Sequence, residues 1–136
     1  MEDVKDELKA YIYNKEFIDE QLDKIEERKT LIEKITAILS DMPKGTPDVT
    51  RLQKKIAELI DFTNDLEKTI EKWQEKQITI ENKINEMEQP YALILYKMYI
   101  KGKNLVTVAS EMNYNYDYMC RMHGIALKKY EETTCQ

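Results

Sequence analysis

The residues of this chain best suited to chemistry gather near its end: Asn115, Tyr116, Asp117, Tyr118, Cys120, Arg121 and Lys128. Together they offer an amide, two phenols, a thiol, a carboxylate and two cations. This is a set for recognising base edges and phosphates by hydrogen bonds, not for breaking covalent bonds. Arg121 suits a guanine or a phosphate, and Tyr116 and Tyr118 suit phosphates or thymine methyl groups. Met119, Met122, Ala126, Leu127 and Tyr130 recur at steps of three and four, so the spacing predicts a helix over about 116–131 with those residues inward. Tyr116, Asp117, Cys120, Arg121, Gly124 and Lys128 then fall on its outward face.

Other chemistries find little support. His123 is the chain's single histidine and has no carboxylate or cysteine at catalytic or ligand spacing; its helical phase puts it beside the buried face. Cys120 and Cys135 lack metal-ligand spacing and read as free thiols of a reducing compartment. There is no phosphate-binding glycine loop, nucleophile elbow or HExxH motif. The expectation is a protein that is not an enzyme and uses neither cofactor nor metal.

Three short elements position the outward face. Pro90 suits a first helical position, and Gly102 suits the stop of a helix that ends near Ile100. Leu105, Val108, Ala109 and Met112 follow helical spacing, with Asn104 as a candidate cap. Asn113-Tyr114-Asn115 then makes a turn in which Asn113 tolerates a left-handed conformation and Asn115 caps the last helix. A small residue at Ala109 lets the two helices approach closely. The arrangement is a helix-turn-helix over 90–132, followed by a tail at 133–136.

Residues 1–89 read as scaffold. One stripe runs Val4, Leu8, Tyr11, Lys15, Ile18, Leu22, Ile25, Lys29, Ile32, Thr36, Leu39. A second runs Leu52, Ile56, Leu59, Thr63, Leu66, Ile70, Trp73, Gln77, Ile80, Ile84, Met87. Both alternate steps of four and three, the period of about 3.5 that keeps one helix seam facing another. Pro43, Gly45 and Pro47 break the pattern. The fold class expected is all-α: a long antiparallel coiled-coil hairpin (helices about 3–40 and 49–88, loop 41–48) followed by the helix-turn-helix. Asp48 or Thr50 is the candidate cap of the second helix. Folding about the loop brings Lys29 level with Thr63 and Lys15 level with Gln77. Ile12, Leu31, Ile35, Ile38, Ile60, Phe62 and Ile78 widen the stripes, so the C-terminal module or a second copy is expected to cover them.

Charge is uneven. The net charge is −5, but residues 90–136 carry six basic against four acidic groups, about +2. No apolar run reaches the length of a membrane span, and Met1-Glu2-Asp3 opens no basic-then-apolar leader. The expectation is a cytoplasmic location with no membrane partner.

The stretch Leu93 to Glu131 resembles region four of bacterial sigma factors. The matching positions are Leu95, Tyr99, Gly102, Leu105, Val108, Ala109, Met112, Asn115, Met119, His123, Ala126, Leu127 and Tyr130. With its long helical first part, the chain is similar to small RinA/ArpU-type regulators of phages and prophages of Gram-positive bacteria. That resemblance implies DNA binding near promoters and control of transcription, in some members of late phage genes; with only about +2 on this segment, DNA binding is expected to need a dimer, a partner such as RNA polymerase, or both. Asn115 stands where serine is usual, and Tyr116, Tyr118 and Cys120 stand where arginines are common. Nothing resembles the sigma region that melts DNA, so a self-sufficient sigma factor is not implied. The alternative is a protein-interaction module that docks on a host nucleic-acid-handling protein through the same face or through the acidic helices.

Overall fold

The computed structural model describes residues 2–133, with side chains from Asp3 onward. Cys135 and the rest of the expected tail beyond 133 lie outside the described residues. The fold is all-α: α1 (Glu2–Ser40), α2 (Pro47–Asn85), α3 (Tyr91–Leu95) running on into a π-helical turn (Tyr96–Ile100), α4 (Leu105–Glu111) and α5 (Tyr116–Glu132).

Between α1 and α2 the break is shorter than the sequence predicts. Gly45 adopts φ +85°, which favours glycine, and α2 then starts at Pro47. The cap is Thr46, whose hydroxyl accepts the Val49 N–H at 3.4 Å, and not Asp48 or Thr50. The reason is Pro47. Its fixed φ and missing N–H suit the first helical position, so the helix begins before either candidate. The far end of α2 also comes earlier than expected, at Asn85.

Contacts divide the chain into two compact units, one of residues 17–74 and one of residues up to 16 together with those from 75 onward. In the 17–74 unit, α1 and α2 run antiparallel. Phe17 meets Trp73 with ring centroids 5.7 Å apart, and further along Arg28 lies over the Phe62 ring at 5.7 Å. Its core is small: Ile18, Ile25 and Ile70, flanked by Leu66 and Trp73. Polar seam residues do not rely on one another. Buried Thr63 donates to the Leu59 carbonyl of its own helix at 2.7 Å, and Lys29 reaches out to Glu67 at 3.6 Å. A lysine can lay its stem along the seam and keep its charge in water, so no polar partner need face it.

The other unit has a deeper core. Val4, Leu8 and Tyr11 of α1 and Ile80 and Ile84 of α2 join Leu95, Tyr99, Ala126, Leu127 and Tyr130 in one cluster. A second cluster holds Ile94, Val108, Ala109, Met119 and Met122. The segment after Pro90 is therefore not packed by itself; the ends of both long helices supply one wall of its core. Tyr11 ties that wall together. Its hydroxyl donates to the Glu81 carboxylate, and its carbonyl accepts the Gln77 amide at 3.4 Å. Burial and then the Glu81 charge push the Tyr11 hydroxyl well above the usual phenol range.

The entry to α3 differs from expectation. Pro90 precedes the helix instead of opening it, and the Gln89 side chain accepts the Leu93 N–H at 3.0 Å. The helix 91–100 is also not uniformly α. Lys101 N–H bonds the Tyr96 carbonyl, five residues back, before Gly102 at φ +76° turns the chain against Ile12.

Candidate nucleic-acid interface

The turn that aims α5 is built from backbone bonds its sequence makes possible. At the end of α4, Asn113 takes φ +60°, Asn113 N–H bonds Ser110 O at 3.2 Å, and Tyr114 N–H bonds Ala109 O at 2.9 Å. Those two bonds around a left-handed residue form a Schellman motif, which satisfies the last carbonyls of α4. Tyr114 packs against the cluster containing Ala109, completing the motif's apolar contact. Each helix is capped at its start by asparagine: Asn104 Oδ1 accepts Thr107 N–H at 2.8 Å, and Asn115 Oδ1 accepts Tyr118 N–H at 2.8 Å.

α5 buries Met119, Met122, His123, Ala126, Leu127 and Tyr130. Asn115, Tyr116, Asp117, Tyr118, Cys120, Arg121 and Lys128 are exposed, and Gly124 is half-buried beside them. The face is more aromatic than cationic. Tyr114 and Tyr118 make an edge-to-face pair with centroids 5.0 Å apart, and the Arg121 guanidinium lies 5.8 Å above the Tyr118 ring. A guanidinium so placed is attracted by the ring and loses part of its freedom. The neighbouring Cys120 side chain, hydrogen-bonded to Tyr116, holds that hydroxyl above its ordinary range. The interface candidate is thus a tyrosine rim around Arg121, with Lys128 two turns along.

Half of the segment's cations are already engaged. Glu111 takes both Lys97, at 2.7 Å, and Lys103, at 2.8 Å, and Glu88 takes Lys129 at 2.8 Å. Hydrogen bonds from Lys103 and Lys97 hold the Glu111 carboxyl below the usual carboxylate range. Among the described residues, Lys101, Arg121 and Lys128 are the segment's cations outside ion pairs. Sequence counting supplied the number of charges but not this pairing, because Glu111 lies 14 residues from Lys97 and eight from Lys103.

His123 is built into the scaffold. Its Nε2 and the Tyr99 hydroxyl are hydrogen-bonded at 2.7 Å, and the two rings stack with centroids 5.9 Å apart. Burial, then Lys5 and Lys9, push the imidazole down to about 4, while burial pushes the Tyr99 hydroxyl up to about 12. Both groups are neutral at pH 7. The pair fastens α5 to the π-helical turn. Nothing local in the sequence signals the bond, which spans 24 residues.

Among the described residues no group of three or more histidine, cysteine, aspartate or glutamate side chains could hold a metal, and no helix is long and apolar enough to cross a membrane. Comparison with known protein families, curated proteins and solved structures finds no match to this chain.

Proposed function

We propose that this protein is a DNA-binding transcriptional regulator of the phage or prophage RinA/ArpU type, acting in the cytoplasm and reading promoter DNA with α5. The observation that carries the reading is the α4–Schellman turn–α5 unit, which leaves Asn115, Tyr116, Asp117, Tyr118, Cys120, Arg121 and Lys128 exposed on the second helix of a helix-turn-helix. Arg121 pairs with a base and Lys128 with a phosphate; Tyr116 and Tyr118 contact phosphate or thymine methyls. The protein acts as a homo-oligomer, since one protomer offers few cations, and RNA polymerase is a further partner. Support for self-association comes from the 17–74 unit, where Ile38 and Phe62 are 54% and 60% exposed.

Fluorescence anisotropy on promoter DNA from the gene's neighbourhood, titrated with salt, tests this. Three unpaired cations per protomer predict a log–log salt slope of about −3 per protomer engaged. Arg121→Ala should weaken specific binding by about 1–3 kcal/mol, while Lys128→Ala should weaken all sequences alike. In light scattering, Ile38→Ser with Phe62→Ser should reduce the mass to that of a monomer.

A second reading, docking on a host nucleic-acid-handling protein, is favoured by one observation: Lys97, Lys103 and Lys129 are tied to carboxylates, and the exposed face is tyrosine-rich. Absence of salt-sensitive DNA binding, with RNA polymerase retained by the protein and released by Tyr116→Ala, would replace the first reading with the second.

A further inference from the structure

A cavity of about 430 Å³, away from the α5 face, is lined by Lys9, Ile12 and Tyr13 of α1, Met98 and Tyr99 of the π-helical turn, and Lys103 of the following loop. Its size is that of a small-molecule site, and its make-up is an apolar floor with a few polar groups converging on it. Ile12, Met98 and the Tyr99 ring supply the floor, Tyr13 stands at the rim 73% exposed, and Lys9 supplies a charge outside ion pairs among the described residues.

The local charge is positive. Among the described side chains no carboxylate pairs with Lys9, and Glu111 is shared by Lys103 and Lys97, one anion between two cations. Position adds a consequence. Tyr99 lines the cavity and holds His123 of α5 through its hydroxyl, so an occupant touches the side chain that fastens the exposed helix. The cavity wall is also a π-helical turn, an irregularity that recurs at functional sites.

We infer that this cavity is an effector site for a small aromatic monoanion, whose carboxylate is held by Lys9 and whose ring lies on Ile12, Met98 and Tyr99. The site requires no DNA, so its test is independent of the reading above. The probe is indole-3-acetate, with tryptophol as its neutral counterpart of the same ring, followed by amide and methyl NMR of the full chain. Indole-3-acetate should bind roughly tenfold tighter than tryptophol, the ratio expected of one charge-assisted hydrogen bond. Its shifts should centre on residues 9–13 and 98–103 and extend to His123. Lys9→Ala, a change at an exposed position, should remove most of the difference between the two probes. Equal affinity for both, an unchanged ratio in Lys9→Ala, or shifts centred on Ile38, Ile60 and Phe62 would each overturn the assignment.

Discussion

The same two helices run through both compact units, yet each unit closes its core differently. In the unit holding α3, α4 and α5, Leu8, Ile84, Ile94, Leu95, Val108, Met119 and Tyr130 are all below 2% exposed. In the 17–74 unit, two helices face only each other. Ile18, Ile25 and Ile70 are each 4% exposed, while Leu22, Leu31, Ile60 and Phe62 stand in solvent. A pair of amphipathic helices can cover one narrow seam but not a stripe widened by neighbouring apolar positions. What α3 to α5 add is therefore more than an outward face: they complete the coverage of Val4, Leu8, Tyr11, Ile80 and Ile84.

Truncations of matched residues should break the comparison if it is wrong. Ile94→Ala opens a fully enclosed site and should cost about 3–5 kcal/mol in urea unfolding. Ile70→Ala removes the same atoms from a thin core whose neighbours can close in, and should cost about 2 kcal/mol. Ile60→Ala, 43% exposed, should stay within about 0.5 kcal/mol in the monomer. Equal costs at 94 and 70 would mean the two cores are equally enclosed.

The parts of this contrast visible in the sequence are those set within one or two turns. The Asn104 and Asn115 caps, the left-handed Asn113 and the Gly102 stop all depend on residues close in the chain, and each stands where the pattern puts it; the first stripe holds in part, since its Leu22 and Thr36 are exposed while Ile35 beside it is buried. Thr46 was legible too, as a threonine directly before a proline, but Asp48 and Thr50 competed on the same local chemistry. The π-helical turn, the Glu111 clamp, the Gln89 cap and the Tyr99–His123 bond were not visible. Most are chosen by packing between elements 8 to 24 residues apart, and neither periodicity nor propensity encodes them. The expected cover over Ile38, Ile60 and Phe62 is a similar case: periodicity shows that a stripe is wide without showing what lies on it.

Acid should sharpen the contrast, because the single histidine belongs to the deeper core. Folded His123 titrates at about 4, below its ordinary 6.5, so the unfolded chain binds more protons between those values. The contribution is full above about pH 6.5, falls as pH drops toward 4, and changes no further below that. The loss attributable to His123 should be about 3 kcal/mol across this window. Urea melts of the wild type and His123→Gln at pH 7.0, 5.5 and 4.5 measure it: the wild type should lose more stability on acidification than the variant. Parallel losses would show that the folded imidazole titrates near its ordinary value.

The smallest effects come from the caps, one from each unit. Asn104 holds the Thr107 N–H at 2.8 Å, whereas Thr46 holds the Val49 N–H at 3.4 Å, where a hydrogen bond is weak. α4 has only seven residues, too few to persist without its cap and its packing, while α2 has 39 and can lose its first turn by fraying alone. Asn104→Ala should therefore cost about 1 kcal/mol of global stability, and Thr46→Ala a few tenths. Amide exchange separates the two outcomes further. Asn104→Ala should speed exchange throughout α4 and in the first turn of α5, because the Schellman turn ties them, while Thr46→Ala should speed it only near Val49. If Asn104→Ala left α5 protection unchanged, the turn would not transmit the position of α4 to α5, and α4 would be a passive support.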